Sequence, residues 1–189
     1  MKTIKFKIEG TRPLMLNNPQ TVNPFNEYSK MLKPLTSKRT KTEDDLIEIS
    51  RIKFISCWYI NNGVYIMPQE NIWRSICEAA KERKLGKKFE RSFALVSDSE
   101  LNFKDKDKSP EVLFENHQEY VDVRAVGIKN IKITTTRVII QKWDLIFEAW
   151  YDESQIDEKE IVDVVEIAGL RYGLGTYRRL YGRFNVKKL

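Results

Sequence analysis

The sequence predicts an α+β fold: one antiparallel sheet with two helices on one face and the other face free. Three observations predict it. Residues 3–9 and 143–151 alternate apolar and polar side chains with the period of two that marks a half-buried strand. Residues 69–85 and 157–172 carry apolar stripes at helical spacing. With further strands at 131–141 and 183–188, the order along the chain is β-α-β-β-α-β, the ferredoxin-like or RRM-like arrangement.

Each element has a local reason. Ile4, Phe6 and Ile8 share one face of the first strand, and Lys5 and Lys7 the other. Residues 11–41 show no periodicity and hold Pro13, Pro24 and Pro34, so they read as a long basic loop, unusual enough in a compact domain to signal function. Thr42 followed by Asp45 forms a capping box with Asp in place of Glu, and Leu46, Ile49 and Ile52 follow at helical spacing. "CWYINNGVYIMP" reads as a hairpin turning at Asn61-Asn62-Gly63 and ending at Pro68. Ile72, Trp73, Ile76, Ala79 and Ala80 stripe the next helix, which Gly86 stops. Residues 87–125 are weakly patterned apart from a strand at "EYVDVRAV". Trp143, Leu145, Phe147, Ala149 and Tyr151 line one face of 143–151. Asp157 with Glu160 caps the last helix, striped by Ile161, Val164, Val165 and Ala168.

The 189 residues therefore read as one domain, 1–189, with insertions at about 11–67 and 87–128. Hydrophobic residues make up 41% and charged residues 32%, a soluble balance without a membrane-length apolar run. "MKTIKFKIEG" lacks the apolar core of an export signal, so a cytoplasmic location, in a bacterial or phage-infected cell, is expected. Cys57 and Cys77 lie in apolar runs without metal-type spacing and read as buried free thiols. No metal, cofactor or catalytic constellation is expected. His117, the only histidine, stands in the polar stretch "FENHQEY".

The net charge of +6 is unevenly placed. From Ile167 to Leu189 there is no acid, against Arg171, Arg178, Arg179, Arg183, Lys187 and Lys188. Residues 28–42 lack acids too and hold Lys38, Arg39 and Lys41; 81–91 holds Lys84, Lys87, Lys88 and Arg91. In "GLGTYRRLYGRF" the glycines follow a helix and precede a strand, the reverse of a nucleotide-binding glycine loop, so that function is excluded. Tyr177 and Tyr181 offer stacking faces, and Arg178, Arg179 and Arg183 pair with phosphates. Gly173, Gly175 and Gly182 would shape the loop and expose backbone N–H groups to phosphates. Arg124 and Arg137, in the two middle strands, complete the candidate nucleic-acid-binding set.

With those motifs in place, the chain resembles the RAMP superfamily of CRISPR-associated proteins. "EGTRPLMLNN" (9–18) is similar to the end of their first strand, "YIMPQENIWRSICEAA" (65–80) to their strand-proline-helix unit, and "GLGTYRRLYGRF" (173–184) to their glycine-rich loop. It also resembles a phage and prophage family ending in "GIGDxRPxxGRF", from which it departs at Thr176 and Arg179. The resemblance implies a ferredoxin-like fold and a non-catalytic protein that binds single-stranded RNA or DNA. It would assemble along the strand as a homo-oligomer, like a Cas7-type backbone subunit of a CRISPR-type nucleoprotein complex. Two other readings stand beside it: a phage protein-interaction module of anti-CRISPR type, and a Cas6-like endoribonuclease using His117.

Overall fold

The computed structural model describes residues 1–128 and 131–189. In chain order the elements are β1 (Lys2–Gly10), β2 (Leu14–Leu16), α1 (Glu27–Thr36), α2 (Glu43–Ser56), β3 (Ile60–Asn61), β4 (Val64–Met67), α3 (Gln69–Glu82), α4 (Gly86–Ser92), β5 (Phe93–Leu95), β6 (Ser99–Asn102), α5 (Pro110–Asn116), β7 (Val121–Ile128), β8 (Ile131–Ile140), β9 (Asp144–Tyr151), α6 (Glu158–Ile167) and β10 (Phe184–Lys188). The chain divides into two compact units. One comprises Met1–Met15, Tyr59–Lys106 and Gln141–Leu189, the other Leu16–Trp58 and Asp107–Ile140.

The first unit holds a seven-stranded sheet in the order β10-β1-β9-β6-β4-β3, with β5 also paired to β9. Every pairing described in it is antiparallel. The alternation of β1 and β9 sorts the two faces: Ile4, Phe6, Ile8, Leu145, Phe147 and Ala149 are buried, while Lys5 and Trp150 face solvent. Phe6 stacks on Phe147 at 5.2 Å between ring centroids. Helices α3 and α6 close the buried side through Ile72, Ile76, Ala79 and Ala80 on one and Ile161, Val164 and Val165 on the other. Each fully buried isoleucine or valine among them contributes about 1.5–3 kcal/mol. This is the α+β, ferredoxin-like arrangement that the sequence predicts.

One strand of that arrangement differs from the sequence reading. The place expected for 131–141, beside β9, is taken by β5 and β6. Since β1 fills the other edge of β9, no edge remains for a hairpin with the preceding strand. β8 instead belongs to the second unit, where it pairs with β7 from Val121↔Val138 to Ile128↔Ile131.

In the second unit, α2 packs on this hairpin and on α5. Phe54 meets Trp58 edge-on at 5.8 Å and Phe114 at 5.5 Å, and Ser50 Oγ lies 2.7 Å from Thr136 Oγ1. Part of the expected basic loop 11–41 is helical. Asn26 accepts the Tyr28 N–H and starts α1, where Tyr28, Met31, Leu32 and Leu35 recur at helical spacing although no residue is fully buried. Gly86 does not stop α3: Lys84 takes the left-handed conformation (φ +60°), and Gly86 opens α4. Burial pushes the free thiols of Cys57 and Cys77 up to about 11, leaving both protonated and inert at neutral pH.

The capping box of α2 is formed: Asp45 N–H donates to Thr42 Oγ1 and Thr42 N–H to Asp45 Oδ2, at 3.2 and 3.0 Å. Lys38 Nζ donates to Asp45 Oδ1 at 2.6 Å. That bond, then the Thr42 amide, holds the Asp45 carboxyl below its ordinary value. A depressed carboxyl contributes stability that is complete above the unfolded value of about 4 and is lost as pH falls through the folded value. Asp45→Asn should therefore destabilise the protein at pH 7 and progressively less below pH 4 in urea unfolding curves. Thr42→Ala should cost about 1 kcal/mol with little pH dependence.

Candidate nucleic-acid interface

Helix α6 runs through a π-helical turn, Ala168–Tyr172, and stops at Gly173, whose φ is +69°. The chain then folds back on itself before β10. Of the eight described residues with positive φ, five lie here: Gly173, Gly175, Tyr177, Arg179 and Gly182. Tyr177 and Arg179 hold this conformation against the steric cost of a side chain.

Backbone bonds pin the loop. Thr176 N–H donates to Met15 O (2.8 Å) and Gly182 N–H to Pro13 O (2.7 Å). Leu174 N–H donates to Gly182 O (2.9 Å), Arg179 N–H to Tyr172 O (3.0 Å) and Tyr181 N–H to Tyr177 O (3.1 Å). These amides are therefore committed internally and form no phosphate cradle. The amides of Gly173, which donates to Ala168 O, and Gly182 are thus not exposed to a phosphate as expected, while at the loop-shaping glycines backbone meets backbone. A Cβ on Gly182 would lie 2.1 Å from Leu174 O, and one on Gly175 2.3 Å from Met15 O.

The side chains divide into tethered and untethered groups. Arg178 donates to Glu78 Oε1 of α3 at 2.9 Å, and Glu78 also meets Arg74 at 3.5 Å. Arg171 pairs with Glu82, which also accepts from the Tyr172 hydroxyl at 3.0 Å. Lys88 is held by Glu160 at 2.6 Å, and that bond draws the Glu160 carboxyl below its usual range. Arg179, Arg183, Lys84, Lys87 and Arg91 have no ion pair among the described residues. Tyr177, Arg179 and Leu180 are exposed on the loop, and Tyr181 is half-buried.

A cleft of about 810 Å³ lies between β10 and α6. Arg183 lines it with Arg12 and Arg83. Sequence reasoning missed Arg12, and it read Arg83 only as part of the basic run 81–91; no linear signal joins either to the loop.

The other candidates belong to the second unit. Lys38 is bonded to Asp45, and Lys41 Nζ to Lys38 O at 2.8 Å. Arg39 is exposed, and Arg124 pairs with Asp122, its neighbour but one on β7. Arg137 is half-buried on β8, in register with Asp122. His117 is also in this unit. Its Nε2 lies 2.8 Å from Lys108 Nζ and its Nδ1 3.5 Å from Glu119.

Sheet order and paired helices define the class of the first unit as ferredoxin-like α+β. No family model matches the sequence, and no curated protein does. Among solved structures it is similar to a chain in the cryo-EM structure of the type III-B Cmr-beta bound to cognate target RNA, with 16% identity and a TM-score of 0.56. The match covers 100% of this chain and 61% of that one, so the protein spans about three-fifths of its neighbour's length. The likeness is one of fold. Among the described residues no helix is long and apolar enough to cross a membrane.

The loop's close contacts set a stability test. Gly63 has φ +78°, and a Cβ added there would meet nothing within 4 Å. Gly63→Ala should therefore cost only the left-handed penalty, about 1–2 kcal/mol. Gly182→Ala meets that penalty and a backbone collision. It should lower the urea midpoint clearly further, or leave the first unit unfolded.

Proposed function

We propose that the protein binds a single nucleic-acid strand across the glycine-rich loop, without cleaving it, as one of several subunits laid side by side along that strand. The observation that carries this reading is the loop itself: a backbone fixed at five positive-φ residues, with an exposed tyrosine and an untethered arginine at its crest. A rigid loop loses little entropy on binding. Arg179 supplies a bidentate phosphate contact and Tyr177 a face on which any base can stack. Lys84, Lys87 and Arg91 add positive potential in the same unit. The fold likeness to a chain from a structure bound to cognate target RNA is a second support, and it favours RNA over DNA as the first strand to test.

Binding of a labelled single-stranded oligonucleotide, followed by fluorescence anisotropy, tests the reading. Four phosphate contacts would weaken affinity roughly 50-fold between about 50 and about 200 mM salt. Arg179→Ala should reduce the salt slope by about 0.7, and Tyr177→Ala should cost about 1–3 kcal/mol at constant slope. A salt-independent affinity, or an unchanged one in the Tyr177→Ala, Arg179→Ala double variant, would move the site away from the loop.

A further inference from the structure

We infer that the cleft between β10 and α6 is a separate binding site for a nucleoside phosphate, with the phosphate held by Arg12 and Arg183. This goes beyond strand binding on the loop and does not depend on it.

Size comes first. The cleft's volume of about 810 Å³ lies within the ~300–1,000 Å³ of small-molecule sites. Its cations come from three places in the sequence: Arg12 after β1, Arg83 after α3 and Arg183 before β10. Arg12 and Arg183 are adjacent by construction, because the amides of Thr11 and Arg12 both donate to Arg183 O, at 2.8 and 3.2 Å. Neither arginine has an ion pair among the described residues. The Arg183 Nε is buried without a hydrogen-bond partner. A buried guanidinium N–H without an acceptor is costly, and an anion in the cleft would supply one. Among the described residues Arg83 is the one of the three with an ion pair, to Asp163 at 4.0 Å.

The rest of the lining says what the anion is attached to. Asp163 and Glu166 are three positions apart on α6 and both line the cleft. They disfavour a small free dianion and accept hydrogen bonds from hydroxyl or amino groups. Leu170, 63% exposed, provides an apolar surface beside them. A phosphate end, hydrogen-bond donors in the middle and a flat apolar body together describe a nucleoside phosphate. Such a group could arrive as a free nucleotide or as the phosphorylated end of a strand.

The test is calorimetric titration of the full chain with adenosine and guanosine 5′-monophosphates, the two nucleosides and inorganic phosphate. It is paired with oligonucleotides identical but for a terminal phosphate or hydroxyl. A monophosphate should bind at least tenfold more tightly than either its nucleoside or inorganic phosphate. Arg12→Gln, which replaces an exposed side chain, should abolish that preference, and Arg183→Lys should weaken it. Arg179→Ala should leave it unchanged, which separates this site from the loop. If free nucleotides bind weakly but a terminal phosphate strengthens oligonucleotide binding at least tenfold, and Arg12→Gln removes the gain, the source is a strand end. Monophosphates no tighter than inorganic phosphate, together with oligonucleotides indifferent to their terminal group, would overturn the inference.

Discussion

The carbonyl of Arg183 is the joint on which the first unit turns. It accepts the amides of Thr11 and Arg12 and so clamps the exit of β1 to the entrance of β10. From there the antiparallel register runs from Gly10↔Phe184 to Phe6↔Lys188. The indole N–H of buried Trp143 fixes the same corner by donating to Arg12 O at 2.9 Å. Because β1 is also the partner of β9, this one corner fixes where the last strand lies in the sheet. It also decides where the glycine-rich loop must come down: on Pro13 and Met15, whose carbonyls receive it.

That landing explains the glycines better than ligand binding does. Gly175 and Gly182 sit where backbone passes over backbone at distances no Cβ could tolerate, in conformations that side chains resist. A loop built this way resembles a small core made of peptide groups. The amides of Leu174, Thr176, Arg179, Tyr181 and Gly182 hold its shape, and the proposed strand contacts fall to its side chains.

The strongly periodic elements were legible in the sequence. β1, β9, α3 and α6 follow from two-residue or 3.6-residue patterns long enough to average over exceptions. β5 and β6 were not, because three or four residues hold too few alternations to register. The run at 131–141 alternates well, but pattern alone cannot say which edge a strand will find. α1 was masked although Tyr28, Met31, Leu32 and Leu35 stripe it, because Pro34 lies inside the helix and Pro24 and several asparagines precede it. For the candidate site, the acid-free stretch pointed to the loop. Composition could not show which arginines were spoken for, since Glu78 and Glu82 are about 90 to 100 residues away in sequence. Arg12 and Arg83 became neighbours of Arg183 only through the fold.

The tethered arginines are not equivalent, and burial decides between them. The Arg171–Glu82 pair is exposed, with the arginine side chain 58% accessible. Exposed pairs are worth roughly 0–1 kcal/mol, so a phosphate could take the guanidinium from Glu82 at small cost. Arg178 is 18% accessible, and its Nη1 is buried without a partner. Removing Glu78 would leave a poorly solvated charge behind. Arg178 is thus a strut between the loop and α3, while Arg171 is held by an exposed pair that an anion such as the proposed strand could displace at small cost.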